Sequence, residues 1–201
     1  ALGASVAAPG DTDGDGQPEM LVGAADSDGG HVYLLEYGPP GSLDDAVWTL
    51  APDNAADEVG AAMSTLGDVD GDGYADLLVG APGAGGTGAG AVFFGPLAGQ
   101  SSMADAAAYL LGDAAGDGAF RAVSALGDPD GDAVAGLAAG VPGDDAGGTD
   151  AGKTFVVLSV TAVGTSWLST EAGATWRGEY AGDAAGTVVL AGRDLSGDGV
   201  G

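Results

Sequence analysis

The feature that most constrains this chain is a short acidic loop written four times at long, nearly regular intervals. It reads GDTDGDGQPEMLVGAA from Gly10, GDVDGDGYADLLVGAP from Gly67, GDPDGDAVAGLAAGVP from Gly127 and GRDLSGDGVG from Gly192. The leading aspartates are Asp11, Asp68, Asp128 and Asp194, separated by 57, 60 and 66 residues. One Asp/Gly loop is an ordinary solvated turn, but the same carboxylate spacing repeated along one chain demands a common cause. The flanks repeat as well: LGASVAAPGD, VGAAMSTLGD, FRAVSALGD and AGTVVLAGRD precede the loops, and HVYLLEY, AVFFG and KTFVVL follow the first three. Another short segment with one aromatic then closes each unit, at Trp48, Tyr109 and Trp176. These segments are short, β-leaning and bounded by Gly, Pro and Asp, so the unit reads strand, acidic loop, strand, turn, strand, connection, strand.

Crowded carboxylates need a counter-charge, and this chain has few to offer. Its 201 residues hold 30 Asp+Glu against 4 Lys+Arg, a formal net charge of -26. Side-chain ion pairs cannot neutralise the loops, whereas bound cations can. The same charge opposes binding to nucleic acid or to anionic lipid. No run of eighteen apolar residues is present, so no membrane insertion is expected. Nor is a signal segment visible in the opening ALGASVAAPG. With 45% hydrophobic residues the chain is too apolar for a disordered acidic tail, and its 41 glycines follow no three-residue period. The absence of cysteine excludes disulfides and thiolate chemistry.

A repeated four-stranded antiparallel unit predicts an all-β fold, a β-propeller fragment with three blades and the start of a fourth. Residues 1–201 then form one partial propeller, with approximate blades 1–50, 51–111, 112–178 and an incomplete 179–201. The pairs Leu2-Gly3, Val59-Gly60 and Phe120-Arg121 carry a family likeness. So do the triplets Gly23-Ala24-Ala25, Gly80-Ala81-Pro82 and Gly140-Val141-Pro142, and the acidic loops themselves. Together they resemble FG-GAP repeats, the blades of the integrin α-subunit propeller and of many bacterial surface proteins. Arg121 and Ala185 depart from the Phe-Gly pattern. The resemblance implies a longer protein of seven blades, further blades of the same chain as packing partners, and a ligand side opposite the acidic loops.

The loop pattern D-x-D-G-D-G-x-x-D places carboxylates at positions 1, 3, 5 and 9 and a backbone carbonyl at 7. Glycines let the chain curl around an ion. Oxygen-only ligands fit Ca2+ better than Mg2+, which demands a stricter octahedron, or zinc, which prefers His or Cys. An EF-hand needs a bidentate Glu at position 12, where Val22, Val79 and Ala139 stand. The nonapeptide period of a calcium β-roll is absent. The candidate ligands of the first loop are Asp11, Asp13, Asp15, the Gln17 carbonyl and Glu19. The second loop, complete by this pattern, offers Asp68, Asp70, Asp72, the Tyr74 carbonyl and Asp76. The third keeps Asp128, Asp130 and Asp132 but has Ala133 and Gly136 in place of Gly and the closing acid, and is expected to be weak or empty. On this reading Gly136→Asp with Ala133→Gly would restore it. The fourth offers Asp194, Ser196 and Asp198.

The expected function is a calcium-stabilised extracellular or cell-surface adhesion or ligand-binding module, secreted and non-catalytic, with a protein or carbohydrate ligand. Two other classes stay open: a propeller attached to a secreted calcium-dependent enzyme acting on carbohydrate or phosphodiester bonds, and a structural spacer. The face opposite the loops also carries acids, among them Asp26, Asp28, Asp53, Asp57, Asp113, Asp117, Asp144 and Asp145. The only histidine, His31, is read as an exposed residue opening a third strand, where the sister units have Ala91 and Lys153.

Overall fold

The computed structural model describes residues 2–25, 28–38, 41–160 and 164–190. Three antiparallel sheets follow one another along the chain. The first contains β1 (Ser5–Gly10), β2 (Glu19–Gly23), β3 (Val32–Glu36) and β4 (Trp48–Ala51). The second is built from β5 (Ala62–Gly67), β6 (Asp76–Ala81), β7 (Ala89–Phe93) and β9 (Ala108–Leu111). The third has β10 (Ala122–Gly127), β11 (Gly136–Val141), β12 (Lys153–Val157) and β14 (Ala172–Arg177). Within each sheet these four strands pair in chain order. The first strands β1, β5 and β10 contact one another in succession and so lie on the inner side. The sheets are the blades of a partial β-propeller.

Two strands were not expected from the sequence. Residues between β7 and β9 form β8 (Gly99–Ser102), which pairs in parallel with β4 of the preceding sheet. Residues between β12 and β14 form β13 (Gly164–Trp167), which pairs in parallel with β9. Each unit thus lays a fifth strand on the outer edge of the blade before it, satisfying backbone groups that an edge would leave open. Each fifth strand ends in a buried anchor, Met103 or Leu168. Trp48 donates its indole N–H to Ser101 Oγ of β8 at 2.9 Å, so the lacing is polar as well as apolar.

The blades are welded through close backbone approach. Within the second blade Gly60 N donates to Gly80 O, and within the third Phe120 N donates to Gly140 O, both at 3.0 Å, which fixes the Gly60 and Phe120 carbonyls for the contacts with the preceding blade. A Cβ on Gly23 would stand 2.3 Å from Gly60 O, and one on Gly80 2.3 Å from Phe120 O. The glycine of each Gly-Ala-Pro-like triplet is therefore required by the next blade's backbone. This contact corrects the alignment of the third unit. Phe120, with φ +66, occupies the place of Gly60 rather than that of Val59, and Ala119 takes the apolar position. Its buried ring covers Gly90 of β7 instead.

Two large apolar clusters fill the space between sheets. One joins Leu21, Leu34, Trp48 and Leu50 to Leu77, Val79 and Phe93; the other joins Leu78, Leu110 and Phe120 to Leu137 and Phe155. The three aromatics that close the units are not equivalent. Leu50 pairs with Val32, Leu110 with Gly90 and Trp176 with Thr154, each partner two residues after the glycine that precedes the third strand. Trp176 thus matches Leu50, whereas Trp48 lies two residues earlier and Tyr109 points to the other side of its sheet. By the same register His31 and Lys153 correspond to Ala89, not to Ala91. His31 is half-buried and stacks on Tyr33.

Candidate metal centre

All three acidic loops join the first and second strands of their sheets, so they emerge at the same end of consecutive blades. A register shift precedes each loop, between Ala7 and Gly10, Thr65 and Gly67, and Ala125 and Gly127. Gly10, Gly67 and Gly127 take φ values of +93, +81 and +71 there, a backbone state that side chains disfavour. The bulge turns the chain out of the sheet and into the loop.

The leading aspartate organises each loop by accepting backbone amides. Asp11 accepts from Gly14 N at 2.6 Å and Gly16 N at 3.0 Å. Asp68 accepts from Gly71 N, Asp72 N and Gly73 N at 2.7, 3.0 and 2.9 Å. Asp128 accepts from Gly131 N, Asp132 N and Ala133 N at 2.7, 3.1 and 2.9 Å. Donation from Ala133 N, partly opposed by desolvation and reinforced by Gly131, Asp132 and Asp130, holds the Asp128 carboxyl below its usual range. Later aspartates take one amide each: Asp13 from Asp15 N, Asp70 from Asp72 N, Asp15 from Gln17 N and Asp72 from Tyr74 N. Gln17 and Tyr74, expected to offer carbonyls, are thereby fixed by their amides.

Three groups of carboxylates converge, each with ligand atoms within 4.8 Å of one another. They are Asp11, Asp13, Asp15 and Glu19; Asp68, Asp70 and Asp76; and Asp128, Asp130 and Asp132. Asp72 is not drawn into the second group, and the fourth loop with Asp194, Ser196 and Asp198 lies outside the described residues.

Position 9 distinguishes the loops. Glu19 is buried, and its Oε2 accepts from both Thr12 N and Thr12 Oγ1 at 2.5 Å. Its Oε1 is buried without any hydrogen-bond partner. A carboxylate oxygen left orphaned beside three aspartates is strongly destabilising unless a cation sits with it, so these residues fit a metal ion. Asp76 is fully buried, accepting from Val69 N at 2.7 Å and Gly95 N at 2.9 Å. Burial raises its pKa; the two amides oppose the shift, and Asp70 and Asp72 add to it. In the third loop the closing acid is absent for a steric reason. A Cβ on Gly136 would lie 2.5 Å from Leu158 O and 2.7 Å from Val157 O. Asp132 turns instead to Ser159, whose hydroxyl donates to it at 2.8 Å. Thr12 and Ser159 are contributions that the loop pattern does not contain.

The opposite face behaves differently. Lys153, almost fully buried, places its ammonium 2.5 Å from Asp144 and 3.8 Å from Asp113, and 4.8 Å from the Phe155 ring centroid. Desolvation raises the pKa of nearby Asp117; Lys153 pulls it down, while Asp144, Asp145 and Asp113 push it up. Asp144, itself buried, and Asp113 thus share the Lys153 ammonium, with Asp117 buried beside them.

Residues 59–94, from the second sheet's first strand through its acidic loop to its third strand, match the FG-GAP repeat model. These residues form an FG-GAP repeat. Integrin alpha-PS2 of Drosophila melanogaster is 38% identical over 113 residues, covering 46% of this chain and 8% of that protein. Over that stretch the chain is similar in sequence to an integrin α chain, and it spans a small part of that relative's length. Among the described residues no helix is long and apolar enough to cross a membrane.

Proposed function

We propose that this chain is a calcium-stabilised, non-catalytic ligand-binding module of an extracellular or cell-surface adhesion protein. The observation that carries the reading is the buried, unpartnered Glu19 Oε1 within a group of four converging carboxylates. Asp11, Asp13, Asp15 and Glu19 would hold one ion, and Asp68, Asp70 and Asp76 a second, with Asp72 and the Gln17 and Tyr74 carbonyls as further oxygens of their loops. Asp128, Asp130 and Asp132 form a weaker third site, short of its closing acid. Hard, all-oxygen donor sets at flexible spacing favour calcium over magnesium or zinc. The ion supplies charge neutralisation that the chain's own four cations cannot.

Exposed loops of this type resemble extracellular modules with affinities of roughly 0.1 to 1 mM, filled outside cells and not inside. With the metal loops at one end of the blades, the turns at the other end are left to meet a protein or carbohydrate ligand. The likeness to an integrin α chain supports an adhesion role. Asp144 is tied to Lys153, which argues against an Asp144/Asp145 acid–base pair. The test is calorimetric titration of the chain with calcium and with magnesium, alongside attachment of cells to the immobilised chain. Saturable calcium binding and attachment abolished by chelation are expected. No calcium binding up to about 10 mM, or a polysaccharide or phosphodiester turnover lost in Asp145→Asn, would contradict the proposal.

A further inference from the structure

The two fifth strands obey one rule, and the third blade carries only half of it. β8 and β13 share the pattern Gly-x-Ser-x followed by an apolar anchor: Gly99-Gln100-Ser101-Ser102-Met103 and Gly164-Thr165-Ser166-Trp167-Leu168. Their registers agree residue for residue. Gly99 pairs with Trp48 and Ser101 with Leu50, as Gly164 pairs with Ala108 and Ser166 with Leu110. Leu50 and Leu110 hold equivalent places, so two otherwise unlike segments land on the same positions of successive blades. They also enter alike. Gly99 N donates to Val47 O at 2.7 Å and Gly164 N to Ala107 O at 3.0 Å. Both glycines take positive φ, +78 and +105, a state that side chains disfavour, at the step where the chain turns onto the edge.

The first unit separates the strand from its anchor. Ser42 and Asp45 form the same capping box as Ser102 and Asp105, which sets Leu43 where Met103 stands. Among the described residues no strand precedes that turn. The Gly-x-Ser-x stretch is thus what the two lacing units add.

β14 presents the receiving half of such a junction. It ends a four-stranded sheet and pairs there with β12 alone, whereas β4 and β9 are each covered by a fifth strand. Because Trp176 matches Leu50 and Leu110, Gly173 stands where Val47 and Ala107 accept the entering glycine. Leu50 and Leu110 are buried, while Trp176 is 61% exposed. An outer strand with open backbone groups and a large exposed aromatic is a template for strand addition.

We propose that the free edge of β14 receives a parallel strand of the form Gly-x-Ser-x-Met or Gly-x-Ser-x-Leu, carried by a further repeat unit of the same protein. The incoming glycine pairs with Ala174 and donates to Gly173 O, the serine lies opposite Trp176, and the apolar anchor follows beyond Arg177. Main-chain hydrogen bonds supply affinity, and the glycine and the anchor fix the register from either end. This junction goes beyond the metal and ligand reading and does not depend on it.

The test appends a copy of residues 99–105, GQSSMAD, after Gly201 through about 20 Gly and Ser residues, a tether with a reach of roughly 25 Å. Tethering raises the local concentration of the strand to the order of millimolar, enough to populate a weak junction. In the calcium-loaded fusion, amide exchange along residues 173–177 should slow at least about tenfold against the chain without the tether, and the Trp176 indole resonance should shift. Gly99→Val or Met103→Asp, made in the appended copy only, should return both readouts to those of the untethered chain. These changes lie outside the folded blades, so loss of folding does not enter. Unchanged exchange in the fusion, or equal protection from the two altered copies, would overturn the junction. Protection of β14 in the untethered chain that grows with its own concentration would assign the edge to a second copy and overturn it as well.

Discussion

At Ala133 the third loop holds a non-glycine residue at φ +70, where the first and second loops have Gly16 at +86 and Gly73 at +95. A left-handed alanine costs on the order of 1 kcal/mol, so Ala133→Gly should raise unfolding stability by about that amount in urea titrations. The partner substitution behaves in the opposite sense. Gly136→Asp completes the ligand pattern on paper, yet its Cβ would press on the Val157 and Leu158 carbonyls. Loss of about 1–3 kcal/mol by overpacking, with no new calcium response, is the expected outcome by melting with and without calcium. The ligand spacing was legible along the chain because positions 1 to 9 are local. The obstruction at Gly136 was not, since it comes from residues more than twenty positions away. Asp117 gives a pH test at the same scale. Its pKa is raised by burial, so the folded state holds the proton more tightly than the unfolded chain. The group's cost to stability is absent below the ordinary carboxyl pKa and grows as pH rises through the raised folded value. Asp117→Asn should therefore stabilise the chain at pH 7 and lose that advantage in acid, as read from melting curves across pH.

At the scale of elements, the alternation of apolar residues and the Gly/Asp turns revealed four strands in each complete unit. The fifth strands stayed hidden. GQSS and GTSW carry no apolar alternation, and what makes them strands is the free edge of the preceding blade. Their anchors are visible only in space. Met103 is 2% exposed within the cluster that joins the first two sheets, so Met103→Ala should cost about 2–5 kcal/mol in denaturant unfolding, far more than a surface substitution. The turn that enters the third unit is held by charge as well. Lys153→Met leaves Asp144 buried without its ammonium, for a loss of about 3–5 kcal/mol. Ser169 Oγ donates to Asp113 at 2.5 Å, so this loss should also loosen the short turn after β13, seen as faster amide exchange over residues 168–171.

For the whole molecule, a net charge of -26 means that compaction concentrates repulsion, above all in the loops lined up at one end of the blades. Backbone amides and buried threonine offset part of it, but they leave Glu19 Oε1 unsatisfied. On the proposed function, bound calcium is a structural component of the native chain. The most direct test is the melting temperature in millimolar calcium against chelator, for the parent chain and for Glu19→Ala, Asp76→Ala and Asp130→Ala. At calcium tenfold above the dissociation constant each filled site adds about 1.4 kcal/mol, so the parent should melt several degrees higher with calcium. Glu19→Ala and Asp76→Ala should each remove a large part of that rise, and Asp130→Ala little of it. A parent chain that melts at the same temperature in calcium and in chelator would contradict the central claim, and equal losses from all three variants would contradict the ranking of the loops.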